Sequence, residues 1–358
     1  MHRPQVPEAL RELPGPIQRY MVQQGFEVAT PCQQRAWPLL IKGENLLAIA
    51  PPGSGKTLAY VLPAALLMEP TPADKGEEAA AAGTARGPLA LVVVPTRELA
   101  QQVLASCRPL QRVCGMRSVA VHGGTDRSEQ AEQLRERPPH LVVGTPGRLL
   151  DLMATGELPT AGVRYVALDE ADKMLAPGNV EQLEALRQAL IGTKNGEVEE
   201  PVKKKGKEKK KGKGEAAAAA GGFQCALFTA TLTADLERHA AAWLGSGFQR
   251  VEVELGGELI SPTVTQVVHV CAEHKKPRKL LKHLEAIKQQ HEGSRNPPRI
   301  LIFTNRIRTC RFVFNSIKEA GYRTGILHGD RSQEERDAAM QDFRGGKVQV
   351  HSGLNGRD

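Results

Sequence analysis

The chain has 358 residues, 41% of them apolar and 25% charged, with a formal net charge of +8. That is enough chain for two or three domains and for a real core, so no disulfide scaffold is required. No apolar run approaches the roughly 18 residues of a membrane span, and the opening Met-His-Arg-Pro-Gln lacks the apolar centre of a signal peptide. The six cysteines (Cys32, Cys107, Cys114, Cys225, Cys271, Cys310) form no C-x-x-C pair, which favours reduced thiols over a zinc site.

The first predicted strand, Leu46–Ala50, runs straight into Pro51-Pro52-Gly53-Ser54-Gly55-Lys56-Thr57 and then a helical pattern. This is the setting of a phosphate-binding loop. Gly53 and Gly55 let backbone amides turn inward, Lys56 can neutralise β- and γ-phosphates, and Thr57 can place a hydroxyl on Mg²⁺. The full spacing asks for glycine where Ala50 stands. A tight glycine turn beside a surface lysine is the bland alternative. Residues 69–88, rich in Pro, Gly, Ala and charge, are expected to form a loop.

Strands follow at Leu89–Val94, Val119–His122, Leu141–Gly144 and Val163–Leu168. A helix is expected over 97–113, where Leu99, Val103, Cys107, Leu110 and Val113 share a face. The strand 163–168 ends in Asp169-Glu170-Ala171-Asp172. A carboxylate at such a strand tip can hold a metal, and Glu170 is then the natural general base for water. A helix start decorated with acids would also explain the tetrad.

Residues 193–222 are lower in complexity and read as a second loop. Within it, Lys203–Lys213 (KKKGKEKKKGK) holds +7 of the chain's +8. It is either a nuclear or nucleolar address with a non-specific RNA tether, or a solvated insertion. A strand at Gln224–Thr229 leads into Thr229-Ala230-Thr231. A link near 255–262 precedes a second series. Its strands are expected near Val264–Cys271, Arg299–Phe303, Thr324–Leu327 and Lys347–Val350, and its helices near 277–290, 306–320 and 332–343. Buried strands alternating with helices predict an α/β protein with parallel sheets.

Taken in order, these motifs resemble the DEAD-box RNA helicases. Asp169-Glu170-Ala171-Asp172 matches the family's signature tetrad. Gly25-Phe26 with Thr30-Pro31 and Gln33 resembles its adenine-reading motif, and Ala at the first phosphate-loop position is usual there. Pro95-Thr96-Arg97-Glu98-Leu99-Ala100, Gly123-Gly124 and Thr145-Pro146-Gly147-Arg148 match its RNA-backbone motifs. Thr229-Ala230-Thr231 resembles its coupling motif. Leu301-Ile302-Phe303-Thr304-Asn305 and His328-Gly329 with Gln333 and Arg336 match its early C-terminal motifs.

The resemblance implies two RecA-like parallel-sheet domains, the second incomplete. Their expected bounds are an ATP-binding domain at 1–255, a linker at 256–262 and a partial domain at 263–358. It also implies an RNA-stimulated ATPase that separates duplexes locally as the two domains close on ATP and RNA. ATP and Mg²⁺ would be its cofactors and RNA its partner, in a monomer without a membrane.

Lys56, Asp169 and Glu170 would be catalytic. Phe26, Thr30, Gln33 and Ala50 to Thr57 would bind nucleotide, with Thr57 and Asp169 at the metal. Asp172, Thr229 and Thr231 would couple. Pro95, Thr96, Arg97, Gly123, Gly124, Thr145, Pro146, Gly147, Arg148, Thr304, Asn305, Gln333 and Arg336 would hold RNA. Gln33, with a donor and an acceptor, suits the adenine edge. Aromatics are only 4% of the chain, which favours backbone contact over base stacking.

Two departures matter. The stretch Arg3–Leu10 lacks the upstream aromatic that stacks on adenine, Val6 being the nearest apolar candidate. The sequence also departs from the family pattern after Val350, with neither the Thr-Asp pair nor the arginine motif. That predicts ATP binding with poor turnover, and an alternative role as an ATP- and RNA-binding form that does not turn over. A metabolic phosphotransferase is a third reading, but it leaves the RNA-type motifs unexplained. The nucleus or nucleolus is the expected location, with the cytoplasm as alternative.

Overall fold

Short, fully apolar runs such as Leu46–Ile49, Ala90–Val93 and Tyr165–Leu168 become strands buried along their whole length. Such runs need cover on both faces, and helices between them supply it. The computed structural model describes residues 11, 13–67, 87–175, 179–195, 222–253, 265–294 and 297–354. The lysine run, Val6, the 256–262 link, and most of the expected loops 69–88 and 193–222 lie outside the described residues. The chain divides into two compact units, Met1–Ser261 and Pro262–Asp358.

The first unit runs α1 (Gly15–Gln23), α2 (Pro31–Ile41), β1 (Leu46–Ile49), α3 (Lys56–Leu66), β2 (Ala90–Val93), α4 (Arg97–Cys114), β3 (Ser118–Val121) and α5 (Arg127–Glu136). It continues through β4 (Leu141–Gly144), α6 (Pro146–Ala154), β5 (Tyr165–Leu168), α7 (Ala171–Met174), α8 (Val180–Asn195), β6 (Gln224–Thr229), α9 (Ala234–Leu244) and β7 (Gln249–Glu252). Its seven-stranded sheet has the order β3-β4-β2-β5-β6-β1-β7. Every pairing is parallel.

Alternate residues of each strand enter opposite cores. Leu46, Ala48, Val92, Ala167 and Phe228 pack on one face, with Trp37 and Tyr60. Leu47, Ile49, Leu91, Val93, Val166 and Leu227 pack on the other, with Leu152 and Trp243. Asn45 is the buried polar pin of this sheet. Its Nδ2 donates to Leu244 O and its Oδ1 accepts from Cys225 N–H, both at 2.8 Å. Asn45→Ala strands both backbone groups and is expected to cost about 2–4 kcal/mol, read by denaturant unfolding.

Two features of the first unit differ from expectation. α8 extends through Asn195, so the segment expected to loop from residue 193 begins as helix. β7 is absent from the pattern the sequence predicts. Gln-Arg-Val-Glu reads as polar, but an edge strand needs only one inward side chain, and here Val251 is the buried one.

The second unit has a 3-10 turn at Glu273–Lys275, then α10 (Lys276–Gln290), β8 (Ile300–Thr304), α11 (Ile307–Glu319), β9 (Thr324–Leu327), α12 (Gln333–Arg344) and β10 (Val350–Leu354). The three strands pair in parallel in the order β8-β10-β9. Leu284, Val313, Ile317 and Val350 form its core, with Ile300 and Ile302 against them. Two expectations fail here. The segment within 264–271 is no strand among its described residues, and Val270 is 94% exposed, because no neighbour pairs with its backbone. The last strand lies later than the expected Lys347–Val350. His351, Ser352 and Gly353 form its middle because β8 and β9 pair with it from both sides.

All six cysteines are free, and Cys32, Cys107, Cys225 and Cys310 are buried. Among the described residues no helix is long and apolar enough to cross a membrane.

Candidate functional site

Parallel strands send all their C-terminal ends to one edge, where each motif of the first unit falls. β1 leads into the phosphate loop, β2 into Pro95–Leu99, β3 into Gly123-Gly124, β4 into Thr145–Arg148, β5 into the acidic tetrad and β6 into Thr229–Thr231. The strand order then arranges the motifs in space. The three loops read as RNA-binding lie on β3, β4 and β2, the phosphate loop lies on β1, and the tetrad and coupling motif lie between, on β5 and β6. From β2 to β1 is three strand spacings, about 14 Å.

The phosphate loop is shaped by Gly53 and Gly55, with φ of +78° and +86°. At Gly53 the requirement is conformational, since a Cβ would meet open space. At Gly55 a Cβ would come within 2.7 Å of both Gln33 Nε2 and Thr30 Oγ1. Those two side chains staple the loop to α2. Thr30 Oγ1 donates to Ser54 O at 2.8 Å and Gln33 Nε2 to Gly55 O at 3.2 Å. Gln33 Oε1 accepts from Thr30 N–H at 3.0 Å, completing a capping box. Gln33 is thus buried with both ends of its amide on backbone, whereas Phe26 is 43% exposed. Gly55→Ala is expected to cost about 1–2 kcal/mol through the left-handed backbone alone. It should also break the staple, weakening nucleotide binding in a fluorescent-nucleotide titration.

Lys56 Nζ donates to Ala50 O at 2.7 Å and to Pro51 O at 3.2 Å, across the mouth of the loop. The Ser54 hydroxyl is buried with no hydrogen-bond partner in the protein, a donor that a phosphate oxygen would satisfy.

Asp169 and Glu170 have opposite environments. Asp169 is 3% exposed. Its Oδ2 accepts from Tyr60 Oη and its Oδ1 from Glu170 N–H, both at 2.8 Å. Burial pushes its carboxyl above the ordinary range, partly offset by the Tyr60 and Glu170 bonds and the Lys56 charge. Glu170 has φ of +52°, the one non-glycine residue with positive φ among the described residues. Strain of that kind gathers at functional sites. Its carboxylate reaches solvent and pairs with Lys173 at 2.8 Å.

The donor chemistry suits Mg²⁺. Thr57 and Asp169 supply a hydroxyl and a carboxylate beside a phosphate cradle, and a hard cation wants oxygen ligands with few of them from protein. Next to them, Asp172 Oδ2 accepts from Thr231 Oγ1 at 3.0 Å, tying the tetrad on β5 to the motif on β6. Thr229 Oγ1 in turn donates to Thr231 O at 2.7 Å.

At the other end of the edge, Thr96 caps α4, accepting from Leu99 N–H at 3.2 Å. Thr145 takes the N-cap of α6 with no capping bond from its side chain. Gly123 and Gly124 are exposed, Gly124 with φ of +81°. The arginines face inward. The Arg97 side chain is 15% exposed and pairs with Glu98. Arg148 donates to Gln130 Oε1 at 2.9 Å and to Thr125 O at 3.1 Å, bracing the glycine loop. Gln130, buried on α5, also bonds the backbone of His122 through both ends of its amide. Sequence reading missed Gln130 and Tyr60. Only their spacing along a helix marks them: Tyr60 lies one turn beyond Thr57.

In the second unit, Thr304 ends β8 and Asn305 follows it, exposed, while His328-Gly329 follows β9. Gln333 opens α12, whose capping box joins Ser332 and Glu335, and Arg336 is half-buried on that helix. These motifs therefore share the C-terminal edge of their own sheet.

The DEAD/DEAH box helicase family model matches residues 30–239, and the helicase conserved C-terminal domain model matches residues 275–353. ATP-dependent RNA helicase p62 of Drosophila melanogaster is 30% identical over 356 residues, covering 97% of this chain and 43% of the relative. ATP-dependent RNA helicase DBP3 of Kluyveromyces lactis is 33% identical over 328 residues, covering 91% of this chain and 56% of the relative. The chain spans about half the length of the curated relatives it matches. A solved structure of S. cerevisiae Dbp5 bound to RNA and ADP BeF3 superposes with a TM-score of 0.70 at 23% identity, covering 96% of this chain and 74% of that one. That likeness identifies the parallel-sheet units as RecA-like. With the first family model spanning more than half of its residues, the chain belongs to the DEAD/DEAH box helicase family.

Proposed function

We propose that the chain binds ATP with Mg²⁺ at β1, holds an RNA backbone at β3, β4 and β2, and acts as an RNA-stimulated ATPase that separates short duplexes. The observation that carries this reading is the order of motifs along one sheet edge. A change at the tetrad or at Thr231 has nucleotide residues on one side and RNA-type loops on the other.

Lys56 and the loop amides take the phosphates, while Thr30 and Gln33 hold that loop against the α2 end where Phe26 lies exposed. Thr57 and Asp169 would hold Mg²⁺. When bound, the ion supplies neutralisation of charge on the β- and γ-phosphates. Glu170 accepts the proton of the attacking water. Thr96, Thr145, Gly123 and Gly124 present hydroxyls and amides to RNA phosphates at loop–helix junctions, while Arg97 and Arg148 hold the loops in place. Thr304, Asn305, Gln333 and Arg336 are the corresponding RNA-contact candidates of the second unit. The bounds 1–255 and 263–358 remain our assignment of the two domains. The lysine run supports a nuclear or nucleolar location, with the cytoplasm as alternative, which a fluorescent fusion with and without residues 203–213 would decide.

The test is Mg-dependent phosphate release with and without single-stranded RNA. Stimulation by RNA of any sequence is expected, falling as salt rises because phosphate contacts dominate. Nucleotide and RNA binding without stimulated release would favour the non-turnover reading. Failure to bind RNA would sink both.

A further inference from the structure

We propose that Tyr60 is a positioning residue for the metal site: its phenol holds the Asp169 carboxylate and sets that oxygen donor before nucleotide arrives. This rests on the reading above that Thr57 and Asp169 hold Mg²⁺.

Tyr60 lies on α3 one turn after Thr57, so both side chains share a helix face. Its ring is fully buried, and its Oη donates to Asp169 Oδ2 at 2.8 Å. That proton, on a residue one helical turn from Thr57, is committed to the carboxylate. One face of α3 therefore carries both Thr57, a candidate metal ligand, and the residue that holds the other candidate, Asp169.

The Asp169 carboxylate is then held at both ends, by Tyr60 at one oxygen and by Glu170 N–H at the other. Its plane is fixed, and only its remaining lone pairs can face a metal. Tyr60 is itself fixed by packing, with its ring 5.2 Å from that of Phe228 at an interplanar angle of 60°. Phe228 immediately precedes Thr229 of the coupling motif. Apolar packing would be served equally by phenylalanine. The hydroxyl adds a bond to a carboxylate that would otherwise lose a donor in a buried setting. Such outer partners fix ligand orientation, and losing one costs roughly 10–100-fold in metal affinity.

The test is Tyr60→Phe, with affinity for a fluorescent ADP analogue measured in EDTA and across a Mg²⁺ titration. Wild type and Asp169→Asn serve as references. The expected result is an unchanged affinity in EDTA and a Mg²⁺ half-saturation point raised roughly 10-fold. Equal loss with and without Mg²⁺, or a Mg²⁺ dependence identical to wild type, would overturn the proposal. If wild type shows no Mg²⁺ dependence, or Asp169→Asn keeps it in full, the metal reading itself fails and takes this inference with it. Should Tyr60→Phe not fold by circular dichroism, wild type labelled with ¹³Cζ-tyrosine decides. One of the four tyrosine resonances must shift when Mg²⁺ is added to the ADP-bound protein, and no shift would overturn the proposal.

Discussion

Replacing Glu170 with Gln is expected to cut RNA-stimulated phosphate release by about 10²–10⁴ while ATP and RNA affinities stay within a few-fold of wild type. The tetrad offers two carboxylates, and only one is placed to take a proton. Asp169 is buried, and each of its oxygens already accepts a hydrogen bond. Glu170 projects from a left-handed backbone and reaches solvent beside Lys173. One carboxylate is thus held at both oxygens and the other reaches solvent, the contrast of environments that the proposed roles of metal ligand and base require. Glutamine matches glutamate in size and pays the same backbone strain, so folding and binding survive, but its amide accepts no proton from water. Phosphate-release kinetics and nucleotide titration on the same sample check both halves. Turnover near wild type would move the base elsewhere, and lost nucleotide binding would make Glu170 a structural residue.

Lys173→Ala separates the salt bridge from the chemistry. Lys173 is exposed and Glu170 partly so, and such surface pairs contribute little to stability. Fold and nucleotide affinity should therefore be unchanged, and any effect on turnover reports only the freedom of the Glu170 side chain.

The phosphate loop, the tetrad and the runs that became β1, β2, β4, β5 and β6 were legible because each is written in consecutive residues. Leu46–Ile49 is apolar throughout, and Asp169-Glu170-Ala171-Asp172 follows its strand directly. What escaped depends on partners far away in the chain. β10 is a strand through His351, Ser352 and Gly353 because β8 and β9 pair with it, and no local propensity announces that. The valine-rich stretch near 264–271 has the composition of a strand but no pairing neighbour among the described residues. β7 reads as polar because an edge strand keeps charged side chains.

The site divides the same way. Residue types at motif positions were readable, but their orientation was not. Arg148 is expected at RNA, and in the structure its guanidinium bonds Gln130 and the Thr125 carbonyl. Gln33 is expected at adenine, and in the structure its amide spans Thr30 and Gly55. Tyr60 carries no motif at all. In each case a helix face brings together groups that the sequence keeps apart, and the hydrogen-bond partner decides what the side chain can do.

Lys56→Ala is expected to weaken ATP binding by roughly 10–100-fold, the worth of a charge-assisted hydrogen bond to phosphate. Lys56 Nζ rests on two neutral carbonyls, Ala50 O and Pro51 O, which orient the ammonium but do not neutralise it. A cation held by dipoles at the mouth of an amide-lined loop has an anion as its natural partner. Removing it deletes the charge and leaves two carbonyls without their donor, so part of the loss comes from a loosened loop. Lys56→Arg separates these contributions. It keeps the charge, but its planar fork does not reproduce a compact ammonium between two carbonyls 2.7 and 3.2 Å away. Affinity for ATP, ADP and AMP should be compared in titrations with both variants. The loss should be largest for ATP and small for AMP, whose phosphate does not reach the lysine. Equal losses for all three would mean that Lys56 supports the fold rather than the phosphates.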